Sequence, residues 1–441
     1  MIGNNAFWTL TGSYFGDPYW ANTVLLLHGD GTNTTQNNTF IDSSGTPKTI
    51  TRAGNTTQGS FSPFVGQGGS IYFDGTGDYL SVPSNAALQM GSSDFTIEGW
   101  IYINSQSSFA FYDQRTATSQ FVPTLYVSGG VIRYYVNGTN VIIGDTLITN
   151  TWYHIALTRS GTSTNLFVNG IKSGSTYTDS NNYLSNRVVI GIFGDGTAGN
   201  LNGYISNLRI TKGIALYTAN FTPPTAPLTS DANTSLLLKG ENGAIIDSTR
   251  KNDLETVGNA QISTTIPGKF GGSSMYFDGS GDYLSVPNNS NFVFGTDDFT
   301  IEGWIKTSDT TPKGVIGTRN SSNPYTNMWQ IFFNGSRLEF WGNRDTLTSS
   351  NTTIVNDNNW HHFASIRKNG STTLYVDGVA GTTNTTSFNY QSTNNIVIIG
   401  NDTLSLGTRS LNGYIDDLRI TKGVARYNAN FTVPTQPFPN W

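Results

Sequence analysis

The chain has 441 residues, 12 % of them charged, with a net charge of −5 and a pI near 5.3. Soluble domains average about 25 % charged residues, so Asn, Thr, Ser and Gly must carry much of this surface. The acidic balance argues against a basic face for nucleic acid, no apolar run reaches the roughly 18 residues of a membrane span, and a chain without Cys has no disulfides or thiol chemistry.

Residues 1–20 concentrate Phe7, Trp8, Tyr14, Phe15, Tyr19 and Trp20, a density that predicts docking onto another protein. From Asn22 the chain reads as short alternating runs bounded by Gly, Asn and Asp, the pattern of β-strands. Ile71 to Val82 is predicted as strand, turn and strand around Asp74-Gly75-Thr76-Gly77. Phe95 to Ile101 follows, then Trp152 to Ala156, a hairpin over Leu166 to Ile171, and a closing strand from Leu201 to Gly213. The Pro-rich phrase Asn220 to Pro227 ends the unit and is expected to strap it shut.

The whole series then returns. Tyr72-Phe73-Asp74-Gly75 recurs as Tyr276-Phe277-Asp278-Gly279, Phe95 to Ile101 returns unchanged at Phe299 to Ile305, and Leu201 to Gly213 matches Leu411 to Gly423. The openings agree as well, Thr23-Val24-Leu25-Leu26-Leu27 against Thr234-Ser235-Leu236-Leu237-Leu238. An internal repeat of all-β units predicts two tandem two-sheet sandwiches, over 21–228 and 229–441, preceded by an anchoring segment at 1–20.

These motifs resemble the laminin-G-like (concanavalin A-like) jelly-roll domains, which share the Phe-Asp-Gly hairpin, Phe-Thr-Ile-Glu-Gly-Trp, Trp-x-His-x-Ala, Leu-x-Val-Asp-Gly and a closing Gly-x-Ile-Asp-x-x-Arg-Ile. The first copy departs at Asn169 and Ser206, where the pattern has Asp. The resemblance implies two concanavalin A-like jelly-roll β-sandwiches. The phrase at 418–435 is similar to one in structural proteins of marine and cyanobacterial phages. It implies a virion surface protein (fibre, tail adhesin or head decoration) that contacts capsid or tail proteins, with host surface glycans as candidate ligands; the aromatic segment at 1–20 and the outward aromatics named below point to a homo-oligomer. The N-terminus lacks the basic start and apolar stretch of a secretory signal, as expected of a particle assembled in a host cytoplasm. A soluble lectin module and a polysaccharide-degrading enzyme are the alternatives.

Three kinds of site follow. Glycosidases of this fold use paired carboxylates, whereas Glu98 and Glu302 each stand alone beside His154 and its counterpart, so no enzyme is expected. Calcium takes six to eight oxygens, and many domains of this family hold a structural Ca2+; Asp42, Asp247 and Asp416 are the candidate ligands. Glycan stacking needs outward aromatics beside polar groups. Strand parity in the 329–341 hairpin turns Phe332, Glu339 and Trp341 outward, with Tyr126, Arg133 and Tyr135 in the same places of the first copy. Packing against another surface or the protein's own loops is the competing reading for these six.

Overall fold

The computed structural model describes residues 17–439 except 29–31, 33, 66, 185, 196–198, 240–242, 250, 288–289, 321–327, 343–345, 386–387, 391–394 and 404. Among the described residues, each repeat is a sandwich of an eight-stranded and a seven-stranded antiparallel sheet. In repeat 1 the eight-stranded sheet centres on Phe95–Ile103, flanked by Trp152–Ser160 and the closing strand Asn202–Lys212, with Ser70–Asp74 beyond. Repeat 2 reproduces it with Phe299–Thr307, His361–Lys368, Asn412–Lys422 and Ser274–Asp278. Ile97, Ile101 and Ile103 point inward with Phe73, Ile155 and Ile205, as period-2 alternation dictates.

The opening strands depart from the expected domains. Thr23–Leu27 pairs with Asn412–Lys422 of repeat 2, and Thr234–Leu238 pairs with Asn202–Lys212 of repeat 1. Leu25 and Leu27 therefore lie in the core of repeat 2, Leu236 and Leu238 in that of repeat 1. Burying two leucines contributes about 3–6 kcal/mol per strand. The boundary expected at 228/229 thus cuts repeat 1 from its own edge strand. The N-terminal strand clasps the C-terminal sandwich instead.

Asp42 and Asp247 hold these strands. Asp42 accepts from the Leu237 N–H at 3.0 Å and from Ser44 and Lys48, while Asp247 accepts from the Leu26 N–H at 3.0 Å and from Thr249 and Asn252. A carboxylate saturated by N–H and O–H donors does not fit a calcium ligand, which must offer its oxygens to the ion. Asp416 accepts from the Lys269 N–H at 2.7 Å. No group of three His, Cys, Asp or Glu that could hold a metal occurs among the described residues.

The segments after each opening strand cross. Buried Asn37 bonds the backbone at Ala244, Ile245 and Leu254, and Arg52 pairs with Glu255 at 2.5 Å, each joining repeat 1 to repeat 2. The Pro-rich straps close both sandwiches as expected. Phe221 stacks on Tyr217 at 3.6 Å and Phe431 on Tyr427 at 3.7 Å. Each strap runs over a tight hairpin, Asn169-Gly170 or Asp377-Gly378, in the positive-φ geometry these residues tolerate. A Cβ at Gly170 or Gly378 would collide with the Phe221 or Phe431 carbonyl. Asn169 also accepts from the His154 N–H as Asp377 does from that of His362, so the first departure from the family pattern preserves both roles.

Candidate functional site

The outer face of the eight-stranded sheet carries alternate residues of Phe95–Ile103, namely Glu98, Trp100 and Tyr102. Toward one end lies a buried charge cluster. Glu98 accepts from Arg209 at 2.5 Å and Tyr217 at 2.8 Å and meets His154 at 3.2 Å; Glu302 repeats this with Arg419 at 2.7 Å, Tyr427 at 2.9 Å and His362 at 3.6 Å. Burial alone would raise both carboxyls. His154 and Arg209 outweigh it at Glu98, and Arg419, His362 and Arg426 at Glu302, so both are held below the usual carboxylate range. Both glutamates are fully buried under the straps, an arrangement suited to fixing the straps through satisfied ion pairs.

Toward the other end the same face opens. Tyr72, Tyr204, Tyr102 and Trp152 stand in register on four adjacent strands. Neighbouring rings lie 5.0, 5.7 and 5.5 Å apart. Phe61 leans over the row, edge-on to Tyr204 at 4.7 Å and Tyr102 at 4.9 Å and tilted on Trp152 at 5.3 Å. All five rings are half-buried. They border a cleft of about 230 Å3 lined by Phe61, Tyr102, Asn104, Tyr204, Lys251 and Asp253.

The last two residues come from repeat 2, delivered by its crossing segment. The Tyr204 hydroxyl donates to Asp253 Oδ2 at 2.9 Å, and Oδ1, with no hydrogen-bond partner, lies against Gly59. A Cβ at Gly59 would collide with that oxygen. Burial pushes the Asp253 carboxyl up to about 6, aided by the charge of Asp247 and opposed by the Tyr204 hydrogen bond. Burial likewise raises Tyr72 to about 12 and Tyr204 further, with the charge of Asp253 adding to both. Aromatic faces beside a few oriented polar groups are what a sugar ring requires, with C–H faces to stack and hydroxyls to bond.

The hairpin residues expected to face outward are arranged otherwise. Tyr126 and Tyr135 touch edge-on at 6.1 Å and are covered by Phe193 and Arg115, while their hydroxyls donate to Asn140 and Thr118. Arg133 is half-buried between them on the same face. In repeat 2, Phe332 is only 3 % exposed, with the Arg409 guanidinium over its ring, and the Trp341 indole donates to Glu339 at 2.8 Å. Phe332 is thus covered by the protein's own side chains, as the competing reading has it, while Trp341 stays half-buried. Of the expected anchor, Phe7, Trp8, Tyr14 and Phe15 lie outside the described residues. Tyr19 packs on Arg426 and Trp20 begins the turn Trp20–Asn22 that leads into the clasping strand.

The aromatic row escaped the sequence reading because its members are far apart in the chain. The available signal was the parity that groups Glu98 with Trp100. Extended by two residues it reaches Tyr102, and the repeat's own strand order then brings in Trp152 and Tyr204.

Two sandwiches with matching straps and an aromatic cleft on an outer sheet face define a tandem lectin-like β-protein. The chain belongs to the concanavalin A-like lectin/glucanases superfamily, whose laminin-G-type model matches residues 74–216 and 278–426. Both matches begin after the opening strands. Among solved structures it is similar to domains LG4-5 of the mouse laminin α1 chain, at 15 % identity over 81 % of this chain and 93 % of that one, with a TM-score of 0.28. It is also similar to the ligand-binding domain of botulinum neurotoxin serotype D in complex with N-acetylneuraminic acid, at 14 % identity, 94 % and 98 % coverage and a TM-score of 0.33. A third is domain 4 of an extracellular arabinanase from Geobacillus stearothermophilus in complex with arabinotriose, at 17 % identity, 41 % and 87 % coverage and a TM-score of 0.33. No curated protein matches the chain.

Proposed function

We propose that the chain is a non-catalytic glycan-binding protein displayed on a phage particle, and that it stacks a sugar ring in the cleft of repeat 1. The observation that carries binding is the row Tyr72, Tyr204, Tyr102 and Trp152 under Phe61, five half-buried rings beside Asn104 and Asp253. The particle setting follows from the resemblance of residues 418–435 to phage structural proteins. The last residues of the expected anchor at 1–20 are tied into repeat 2, where Asp17 pairs with Arg419 and Arg426.

The test is a glycan array followed by calorimetry with the full chain and Trp152→Ala. The expected loss is about thirtyfold, the 2 kcal/mol of an aromatic hot spot. Equal affinity of the variant, or no glycan bound at all, overturns the reading. Antibody labelling of intact particles tests the display.

A further inference from the structure

Asp253 is the feature of the cleft that aromatic stacking leaves unexplained. It belongs to repeat 2, is 7 % exposed, and sits on the outer face of repeat 1 with one oxygen taken by Tyr204 and the other without a partner. Its nearest cation along the chain, Lys251, sends its ammonium to the Thr23 carbonyl at 2.7 Å. Gly59 makes room for it, and the equivalent position in repeat 2 is Ser263. That second oxygen is closed off against Gly59, so a ligand in the cleft meets Asp253 through its buried charge.

We infer that Asp253, supplied by repeat 2, selects the ligand of the cleft on repeat 1. Its buried charge favours a single neutral sugar ring and turns away sugars bearing a carboxylate or sulfate.

This rests on the glycan-binding reading above and adds its substrate class. Three observations bear on it. The cleft, at about 230 Å3, is smaller than the roughly 300–1,000 Å3 of sites for drug-sized ligands, so it suits one ring, such as the terminal residue of a chain. Its aromatic wall has no charge of its own and accepts the apolar face of a ring. An acidic sugar seated there would bring a second negative charge against a buried one, where repulsion is less screened than in water.

The charged and titratable groups facing Asp253 are Tyr204 and Tyr72 from the sheet, with Asp247 and Lys251 from its own segment. Burial keeps the tyrosines neutral between pH 5 and 8, and Asp247, whose carboxyl burial also raises, does not line the cleft, so Asp253 sets any change in selectivity over that range. As it ionises with rising pH, rejection of acidic sugars strengthens.

The experiment uses calorimetry on the full chain with paired probes, methyl glucoside against methyl glucuronide and methyl galactoside against methyl galacturonide. At pH 8 the neutral member of whichever pair binds is expected to be favoured at least tenfold, with the ratio falling several-fold by pH 5. Asp253→Asn, which keeps the shape, should bring the ratio toward one and remove its pH dependence. The pH series on the unaltered chain stands even if that variant does not fold. Binding with a ratio near one at every pH, or a ratio unchanged in Asp253→Asn, overturns the role of Asp253 alone. Failure of both pairs and of every neutral glycan overturns this inference together with the glycan reading.

Discussion

The two repeats place apolar residues at most matching positions of their inner faces and differ where each receives a segment from elsewhere in the chain. In repeat 1 the closing-strand Arg209 spends its spare guanidinium nitrogen on the Thr229 carbonyl, and Leu216 occupies the strap. In repeat 2 the equivalent Arg419 reaches Asp17 at 3.1 Å, and Arg426 replaces Leu216 and grips Asp17 through both carboxylate oxygens, at 2.9 and 2.7 Å. The reason lies in chain connectivity. The strand Thr234–Leu238 follows the strap of repeat 1 directly and needs no selection. Thr23–Leu27 must find repeat 2 across nearly the whole chain, and a bidentate buried ion pair marks the place. The outer faces diverge in a similar way. The row Tyr72, Tyr204, Tyr102, Trp152 becomes Tyr276, Tyr414, Lys306, Trp360, and Phe61 becomes Thr265. One repeat is built to hold the N-terminus and the other to present a cleft.

Breaking the clasp should have the largest effect. Asp17→Leu leaves Arg426 and Arg419 short of a buried carboxylate, at a cost of about 3–5 kcal/mol. The loss should appear as faster hydrogen exchange at the Leu418–Thr421 amides, with the matching Leu208–Thr211 amides of repeat 1 unchanged. Adding Arg426→Leu gives repeat 2 the residue that repeat 1 has there and should recover most of the loss. Burial raises the Asp17 carboxyl, but Arg426 and Arg419 prevail and hold it below its usual value. Its contribution is therefore present above the unfolded carboxylate pKa of about 3.9 and lost as pH falls through the lower folded value. The double variant should lack that part of the acid sensitivity. Equal exchange in both repeats of Asp17→Leu would show that the pair does not mark the clasp.

The outer faces allow a gain-of-function test of intermediate size. Thr265→Phe with Lys306→Tyr rebuilds the aromatic row on repeat 2. A second, weaker binding event should then appear in calorimetry, about tenfold below the first, since aromatic contacts contribute roughly 0.5–1.5 kcal/mol apiece. A stoichiometry that stays at one would mean that the row alone does not make the cleft.

What the sequence disclosed follows the range of the forces involved. Hairpins such as Asn169-Gly170 and the inward faces around Ile97 and Ile101 are written in local turn chemistry and period-2 alternation, so they were legible, as was the strap at Phe221. The clasp was not. The runs Thr23 to Leu27 and Thr234 to Leu238 are nearly the same, and pattern alone assigns each to the sheet nearest in sequence. The informative contrast was polar, Arg426 against Leu216 with an Asp at 17, and it needs the two repeats laid side by side. Asp42 and Asp247 stand out in the sequence, but a carboxylate that caps backbone N–H groups, as these two do for Leu237 and Leu26, and one that binds calcium look alike there. The cleft was hidden for a related reason. Lys251 and Asp253 reach it only through the crossing of segments that the clasp imposes.

The smallest expected effect concerns the bulge in the closing strands, where repeat 1 has Asn207 and repeat 2 has Asp417. Both residues sit at positive φ, 53° and 48°, a conformation that Asn and Asp tolerate better than other non-glycine residues. Both accept a backbone N–H from the end of the strap, that of Leu228 at 2.7 Å and that of Phe438 at 2.8 Å. Asp417→Asn keeps the backbone preference and this acceptor. It gives up only the negative charge beside His28, with which Asp417 also pairs. The cost should stay within about 1.5 kcal/mol, the net worth of one ordinary hydrogen bond, and added Ca2+ should shift the melting temperature of neither protein. A loss of several kcal/mol, or a calcium-dependent rise in melting temperature that the variant lacks, would instead give the second repeat's closing strand a cation-binding role that the first repeat, with Ser206 and Asn207, cannot share.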